Sequence, residues 1–182
     1  MSDPVLVDPR VSRAKFEREV GNLLSPVVDV RSRGWIVESA VYPTLRITFL
    51  TAHLDFPFAE FTAEMDFTNY DVVPPSVKLL HPVTLQPMRA FGYQLTERGV
   101  MNIVVGGHPE TGLPFVCLPG VREYHTHPEH DGDSWDLYRA RGDGRPFVVL
   151  DRLWKFCVRP AAYLIVPLKP NTGKIPVAKP KP

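Results

Sequence analysis

Residues 58–67 have the sequence Phe-Ala-Glu-Phe-Thr-Ala-Glu-Met-Asp-Phe, in which apolar and polar side chains alternate. The apolar set is Phe61, Ala63, Met65 and Phe67, and the polar set is Glu60, Thr62, Glu64 and Asp66. Because successive side chains of a strand point to opposite faces, this period predicts a strand with one buried face and one face in water. A sheet is therefore the centre of the predicted fold.

Three segments around this strand are also typical of strands. Residues 34–41, 45–52 and 76–80 are rich in β-branched and aromatic side chains, and turn-forming residues separate them. The short connections between consecutive strands favour antiparallel pairing. We therefore expect a four-stranded antiparallel meander, with residues 100–105 as a candidate for one further strand.

Helices are predicted before and after the sheet. Asp8 supplies an N-cap acceptor and Pro9 a first helical residue, and the helix should end before Pro26. The apolar positions of this segment recur at helical spacing, at Phe16, Val20, Leu23 and Leu24. A second helix is predicted over 146–158, with Cys157 on its apolar stripe as a buried thiol. A helix, a meander and a second helix together predict an α+β fold.

The length and composition predict one domain. The chain has 182 residues, of which 44% are hydrophobic, and we expect a single domain over 1–166. Residues 167–182 are rich in proline and lysine and contain no acidic residue, which predicts a flexible tail. The formal net charge of +1 gives no basic field for nucleic acid, and no apolar run is long enough for a membrane span. With two cysteines and no secretory signal, we expect a reducing, cytoplasmic compartment.

A cluster of chemically competent side chains lies near the middle of the chain. Cys117, Glu123, His125 and His127 fall within eleven residues. On a strand, Glu123, His125 and His127 would project to one face. Together with Cys117 they supply the four ligands of a tetrahedral zinc site. A cysteine near histidines is equally typical of a nucleophile with its base, and at this point both hypotheses remain open.

Further polar residues follow the cluster. His130, Asp131 and Asp133 are candidates for secondary partners of a metal site, or for substitutes among its ligands.

Two short motifs resemble those of ubiquitin-conjugating enzymes. Residues 69–77, Asn-Tyr-Asp-Val-Val-Pro-Pro-Ser-Val, are similar to the segment in which that family's double proline turns its third strand into its fourth. Residues 108–118, His-Pro-Glu-Thr-Gly-Leu-Pro-Phe-Val-Cys-Leu, are similar to the segment that leads from the family's His-Pro-Asn to its catalytic cysteine. The resemblance covers roughly residues 8–158 and implies the fold of that family, with Cys117 as the nucleophile.

The resemblance also implies roles for the residues that precede Cys117. His108 and Pro109 would shape the Cys117 segment, as the His-Pro pair does in the family. Glu110 departs from the pattern, because the family has an asparagine there that donates a hydrogen bond to the oxyanion. An ionised carboxylate cannot donate, and one missing oxyanion donor costs about 3 kcal/mol of transition-state stabilisation. This departure argues against ordinary lysine conjugation.

The order Cys117, Glu123, His125, His127 carries a second resemblance. It is similar to a predicted metal-binding family of bacteria that is named for its Cys-Glu-His-His residues and occurs beside ubiquitin-like modification genes. Whether the site binds zinc or performs catalysis, this resemblance implies a bacterial ubiquitin-like modification system.

These observations lead to one leading hypothesis and two alternatives. The leading one is a cofactor-free conjugating enzyme that accepts a ubiquitin-like protein from an activating enzyme onto Cys117 and passes it to a protein target. His125 and His127 are then the acid and base candidates, and Glu123 orients them. The first alternative is a non-catalytic adaptor of the same fold that binds zinc through Cys117, Glu123, His125 and His127. The second is an inactive relative that only makes interactions.

Overall fold

The structure is a computed structural model that describes residues 6–25, 29–55, 57–89 and 103–161. Helix α1 covers Pro9–Leu23, and Asp8 caps it by accepting a hydrogen bond from the backbone N–H of Arg10 at 2.9 Å. Because Asp8 supplies the acceptor and Pro9 fixes the first φ angle, the helix begins where the sequence predicts.

Four antiparallel strands form the main sheet in the order β1-β2-β3-β4. They are Trp35–Val41 (β1), Thr44–Leu50 (β2), Ala59–Asp66 (β3) and Ser76–Leu80 (β4). Consecutive strands pair in register, for example Ile47 with Ala63 and Met65 with Val77. The predicted α+β fold and its meander are confirmed, and every strand end lies within two residues of the predicted one.

The alternation of apolar and polar residues over 58–67 explains which side chains of this strand enter the hydrophobic core. Its apolar set is fully buried, at 0% exposure for Phe61, Ala63, Met65 and Phe67. One residue of the polar set is buried too: Thr62 shares a hydrogen bond with Thr48 across the strand pair at 2.6 Å. Since each hydroxyl satisfies the other, the burial of these two polar groups costs little.

The rest of the described chain forms short elements. They are β5 (Val104–Val105), β6 (Phe115–Val116), α2 (Arg122–His125), a 3-10 turn (Pro128–His130), α3 (Trp135–Arg139), α4 (Pro146–Leu153), a π-helical turn (Trp154–Val158) and a 3-10 turn (Arg159–Ala161). The predicted second helix is thus α4 continued by the π-helical turn, and Cys157 is buried in it. Of the candidate strand over 100–105, the structure describes 103–105, and Val104–Val105 form β5.

The predicted tail over 167–182 lies wholly outside the described residues. The predicted domain over 1–166 lies partly outside them, because the described residues end at 161. Of the helices in the described ranges, none has both the length and the apolar character that a membrane crossing requires.

Candidate functional site

Cys117 directly follows β6 and is held there by the backbone. Its N–H donates to the carbonyl oxygen of Ile103 at 2.8 Å, and β6 pairs with β5 through Val116 and Val104. The side chain of Cys117 is half-buried. The main chain at the thiol is therefore fixed, while the residue remains partly exposed.

His108 lies under this segment. Its ring is 2% exposed and packs edge-on against Phe115, with the ring centroids 5.0 Å apart. Nδ1 of His108 accepts from the backbone N–H of Glu110 at 3.3 Å, and Nε2 lies 3.3 Å from Oγ1 of Thr126. Pro109 and Glu110 themselves are exposed. The buried ring supports the residues that lead to Cys117, whereas the Glu110 side chain lies in water.

The segment after Cys117 is helical where the residues that follow it were considered as a strand. On a strand Glu123, His125 and His127 would share one face, but Arg122–His125 form helix α2. The buried residues Leu118, Val121 and Tyr124 are spaced by three, which is a helical period. Glu123, His125 and His127 consequently do not share one face.

Glu123 faces the sheet. Its carboxylate accepts hydrogen bonds from the hydroxyl of Ser76 and, at 3.1 Å, from the backbone N–H of Val77. These groups begin β4, so Glu123 fixes α2 to the edge of the sheet. Its contacts are those of a structural acceptor.

His125 lies between two backbone carbonyls. Nε2 is 2.6 Å from the oxygen of Pro119, and Nδ1 is 2.8 Å from the oxygen of Asp133. A carbonyl oxygen only accepts, so a ring nitrogen that bonds to it does so as a donor. In this arrangement, neither nitrogen presents a lone pair to a metal or to a thiol.

His127 lies against the segment that leads to Cys117. Its ring stacks on Phe115, with the centroids 5.2 Å apart and the planes 19° from parallel. Nδ1 accepts from the backbone N–H of Glu129 at 3.3 Å and so caps the following 3-10 turn.

The four candidate zinc ligands do not converge on one point. Across the described ranges, no group of three or more His, Cys, Asp or Glu side chains is arranged to hold a metal ion. The physical reason is the helical turn of α2, which directs Glu123 toward β4 and His125 toward two carbonyls. The four side chains considered as an alternative zinc site are therefore not assembled around one point in this structure.

The residue that faces the thiol is His130. Its Nε2 lies 3.3 Å from Sγ of Cys117. His130 was predicted only as a secondary partner of a metal site or as a substitute ligand, and it lies 13 positions after Cys117 in the sequence. Their contact depends on α2 and the 3-10 turn Pro128–His130, which bring the chain back over Cys117.

The surroundings of Cys117 favour the protonated form of its thiol. Burial raises its pKa above the usual value, and the negative charge of Glu129 raises it further. A thiol in this environment needs a base before it can act as a nucleophile. His130, when Nε2 is unprotonated, is placed to accept its proton.

The second cysteine has a different environment. Cys157 is 7% exposed, and burial, with a smaller contribution from Glu60, raises its pKa to about 12. It is a structural thiol.

The double-proline corner packs against the residues that follow Cys117. Arg122 donates from its backbone N–H to the Pro75 oxygen at 2.9 Å, and from its side chain to the oxygens of Pro74 and Thr68 at 3.3 and 3.0 Å. Nε1 of Trp135 donates to the Asp71 oxygen at 2.9 Å. The corner, α2 and α3 thus form one packed unit beside the thiol.

Comparison with known proteins gives a family. The chain matches the Y4jH-like family over residues 7–113 and 94–161. It is 31% identical over 189 residues to a protein of Sinorhizobium fredii (strain NBRC 101917 / NGR234) named uncharacterized protein y4jH. The match covers 92% of this chain and 92% of that protein.

Proposed function

The chain belongs to the Y4jH family, and we propose that it is a ubiquitin-conjugating-like enzyme of a bacterial ubiquitin-like modification system. Cys117 accepts a ubiquitin-like protein from an activating enzyme as a thioester and passes it to a protein target. The observation that carries the proposal is the half-buried thiol of Cys117, with an imidazole nitrogen of His130 3.3 Å from its sulfur.

The order of the elements supports the proposal. A helix, a four-stranded antiparallel meander, a double-proline corner, a buried histidine and a cysteine follow one another along the chain. This is the order that the resemblance to ubiquitin-conjugating enzymes implies. The corner also contacts the segment after Cys117 through Arg122.

The first step of the proposed reaction is an exchange of thioesters. The sulfur of Cys117 attacks the carbonyl carbon of the thioester between the carrier and the activating enzyme, and its proton passes to Nε2 of His130. The carbon–sulfur bond to the activating enzyme breaks, and the departing thiolate takes the proton from His130. A base is required here because the pKa of Cys117 is raised by burial and by Glu129.

The second step transfers the carrier to an amine of the target. The amine attacks the same carbonyl carbon, the bond to Cys117 breaks, and the amine proton returns to the sulfur through His130. Glu110 is exposed and cannot donate to the oxyanion. Protonated His130 would place a positive charge beside the reacting carbonyl and thus replace the missing amide donor.

This assignment moves proton transfer from the predicted residues to His130. His125 faces two carbonyl oxygens and His127 stacks on Phe115. Glu123, predicted to orient them, contacts the start of β4 instead. These contacts suit structural roles.

The test is formation of the thioester. The full chain is incubated with MgATP and the activating enzyme and ubiquitin-like protein of its own organism, and products are separated under non-reducing conditions. We expect an adduct that a reducing agent removes. It should be absent in Cys117→Ala and resistant to reduction, as an oxygen ester, in Cys117→Ser.

Cys157→Ser is the matched control, because it changes the other cysteine and should leave the adduct intact. Failure of the wild-type chain to form an adduct would contradict the proposal. Metal analysis of the purified protein tests the zinc adaptor at the same time. One equivalent of zinc that is lost in Cys117→Ser would support the adaptor and argue against the enzyme.

A further inference from the structure

Tyr124 and His130 form a close ring stack. Their centroids are 3.8 Å apart and their planes 16° from parallel. His127 is also near the His130 ring, but it is tilted by 48° at 5.8 Å. Tyr124 is 9% exposed on α2, whereas His130 is half-buried on a three-residue turn. The buried tyrosine is therefore the rigid partner of the two.

The tyrosine ring is itself anchored. Its hydroxyl donates to Oδ2 of Asp133 at 2.5 Å. Burial, and then this hydrogen bond, raise the pKa of Tyr124 above its usual value, so the hydroxyl keeps its proton. The backbone of Asp133 is held as well, because its carbonyl oxygen is bound by the ring of His125, eight residues earlier in the chain. Both ends of the Asp133–Tyr124 contact are thus fixed by the fold.

We propose that Tyr124 is a positioning residue for the Cys117–His130 pair, and that Asp133 fixes Tyr124 in that role. The flat tyrosine ring sets the plane of the His130 imidazole, and that plane decides whether Nε2 faces Sγ of Cys117. Without the stack, the imidazole rotates about its two side-chain bonds, and the base faces the thiol for a smaller fraction of the time. The inference rests on the proposed function in one respect, which is that His130 is the base for Cys117.

The reaction of the thiol with iodoacetamide measures this effect without a carrier protein. The sulfur forms a bond to carbon, iodide leaves, and the thiol proton passes to His130. The rate is measured on the full chain at one neutral pH, and peptide mass spectrometry separates Cys117 from Cys157. We expect Tyr124→Leu and His130→Asn each to slow alkylation of Cys117 roughly tenfold, because small misplacements of a base are costly.

The combined variants distinguish positioning from a general loss of structure. Tyr124→Leu together with His130→Asn should be no slower than His130→Asn alone, since both changes remove the same interaction. Tyr124→Phe keeps the ring and should restore most of the rate. Asp133→Ala removes the anchor at a half-buried position and should slow alkylation slightly, but only when His130 is present.

A spectroscopic measurement reports the stack directly. The ring protons of His130 should be shifted upfield by the tyrosine ring in the wild type and in Tyr124→Phe, and the shift should be lost in Tyr124→Leu. The proposal is overturned if Tyr124→Leu loses the ring shift but is alkylated at the wild-type rate. It is also overturned if Tyr124→Leu slows alkylation further when His130 is already replaced by Asn. Should Tyr124→Leu not fold, Asp133→Ala replaces it. Slowing that disappears in the His130→Asn background supports the proposal, whereas an unchanged rate, or slowing that persists in that background, overturns it.

The test of Tyr124 does not depend on whether the chain conjugates a ubiquitin-like protein. A wild-type chain that forms no thioester contradicts the proposed function, whereas the alkylation and NMR results still decide the role of Tyr124.

Discussion

Nε of Arg122 lies 3.3 Å from the carbonyl oxygen of Pro74, which joins the turn after Cys117 to the corner between β3 and β4. A second side-chain nitrogen of Arg122 reaches the Thr68 oxygen at 3.0 Å. Carbonyl oxygens at a corner have no partner strand, so the planar guanidinium satisfies acceptors that the sheet cannot. The position of the Cys117 segment on the sheet depends on this contact.

Arg122→Met should destabilise the protein. Methionine keeps the apolar stem but loses the charged donors, and hydrogen bonds to charged groups contribute about 1.5–3 kcal/mol. We expect the free energy of unfolding, from urea titration, to fall by an amount in that range. Arg10→Met is the matched control, because Arg10 is 90% exposed and its ion pair within the described ranges is with Asp8 at the surface. Its effect should be much smaller, because exposed ion pairs contribute little to stability; equal losses in the two variants would disprove the role of Arg122.

Gly120→Ala should be among the most damaging small substitutions in the described chain. A Cβ at Gly120 would lie 2.0 Å from the Asp143 oxygen and 2.4 Å from its carbonyl carbon, and backbone atoms cannot rotate away. Overpacking of this kind costs about 1–3 kcal/mol or more in unfolding free energy.

Gly106→Ala and Gly21→Ala are the controls for this clash. In the part of the chain that the structure describes, a Cβ at either position meets no atom within 4 Å apart from its chain neighbours and, for Gly21, the backbone of its own helix. We expect Gly106→Ala to change thermal stability little. Gly21→Ala lies within α1 and should stabilise by about 0.5–1 kcal/mol, because alanine favours the helix. A neutral Gly120→Ala would show that the Gly120–Asp143 approach is looser than in this structure.

The sheet could be predicted from the sequence because its signal is local. Phe61, Ala63 and Met65 alternate with polar residues and are all fully buried, so the period of side chains alone locates the strand and its core face. The first helix was predictable for the same reason, since Asp8 and Pro9 define its start.

Part of the site was less predictable. Glu123, His125 and His127 alternate, and three polar residues cannot distinguish a strand from a helical turn. The better signal was apolar, because Val121 and Tyr124 are buried three residues apart. The Cys117–His130 contact could not be predicted at all, since it depends on how the intervening turns fold back.

Glu129→Gln should make Cys117 more reactive. The negative charge of Glu129 is the smaller of the two causes that raise the pKa of this thiol, after burial. Its removal should lower the pKa, although burial still keeps it above the usual value. The rate of reaction with iodoacetamide at neutral pH should rise by roughly two- to fivefold, an effect expected for one nearby exposed charge. The measurement is the pH dependence of that rate.

Asp131→Asn serves as the control for Glu129→Gln. It removes an equal charge from an exposed neighbour that does not contribute to the Cys117 pKa shift. Added salt should reduce the difference between wild type and Glu129→Gln, because it screens exposed charges. A slower reaction in Glu129→Gln would contradict the electrostatic assignment.

Cys157 should make the protein sensitive to alkaline pH. Its pKa is raised from 9.0 to about 12, so the folded state keeps a proton that the unfolded state releases. The stabilisation is complete below pH 9 and is lost as the pH rises toward 12. Between pH 9 and 10, the free energy of unfolding should fall with a slope that approaches about 1.4 kcal/mol per pH unit. In Cys157→Ala this contribution to the slope should disappear, and an unchanged slope would show that other groups cause the loss.

Glu123→Ala separates a structural role from the catalytic one that the sequence suggested. Removal of the carboxylate leaves the Ser76 hydroxyl and the Val77 N–H without their acceptor, which should cost about 1–3 kcal/mol for a partly buried donor. Glu123→Gln keeps one acceptor oxygen and should lose less. Because Glu123 contacts neither Cys117 nor His130, both folded variants should retain the wild-type rate of Cys117 alkylation. If a Glu123 variant keeps the stability of the wild type but its Cys117 is alkylated tenfold more slowly, Glu123 takes part in the chemistry of the thiol after all.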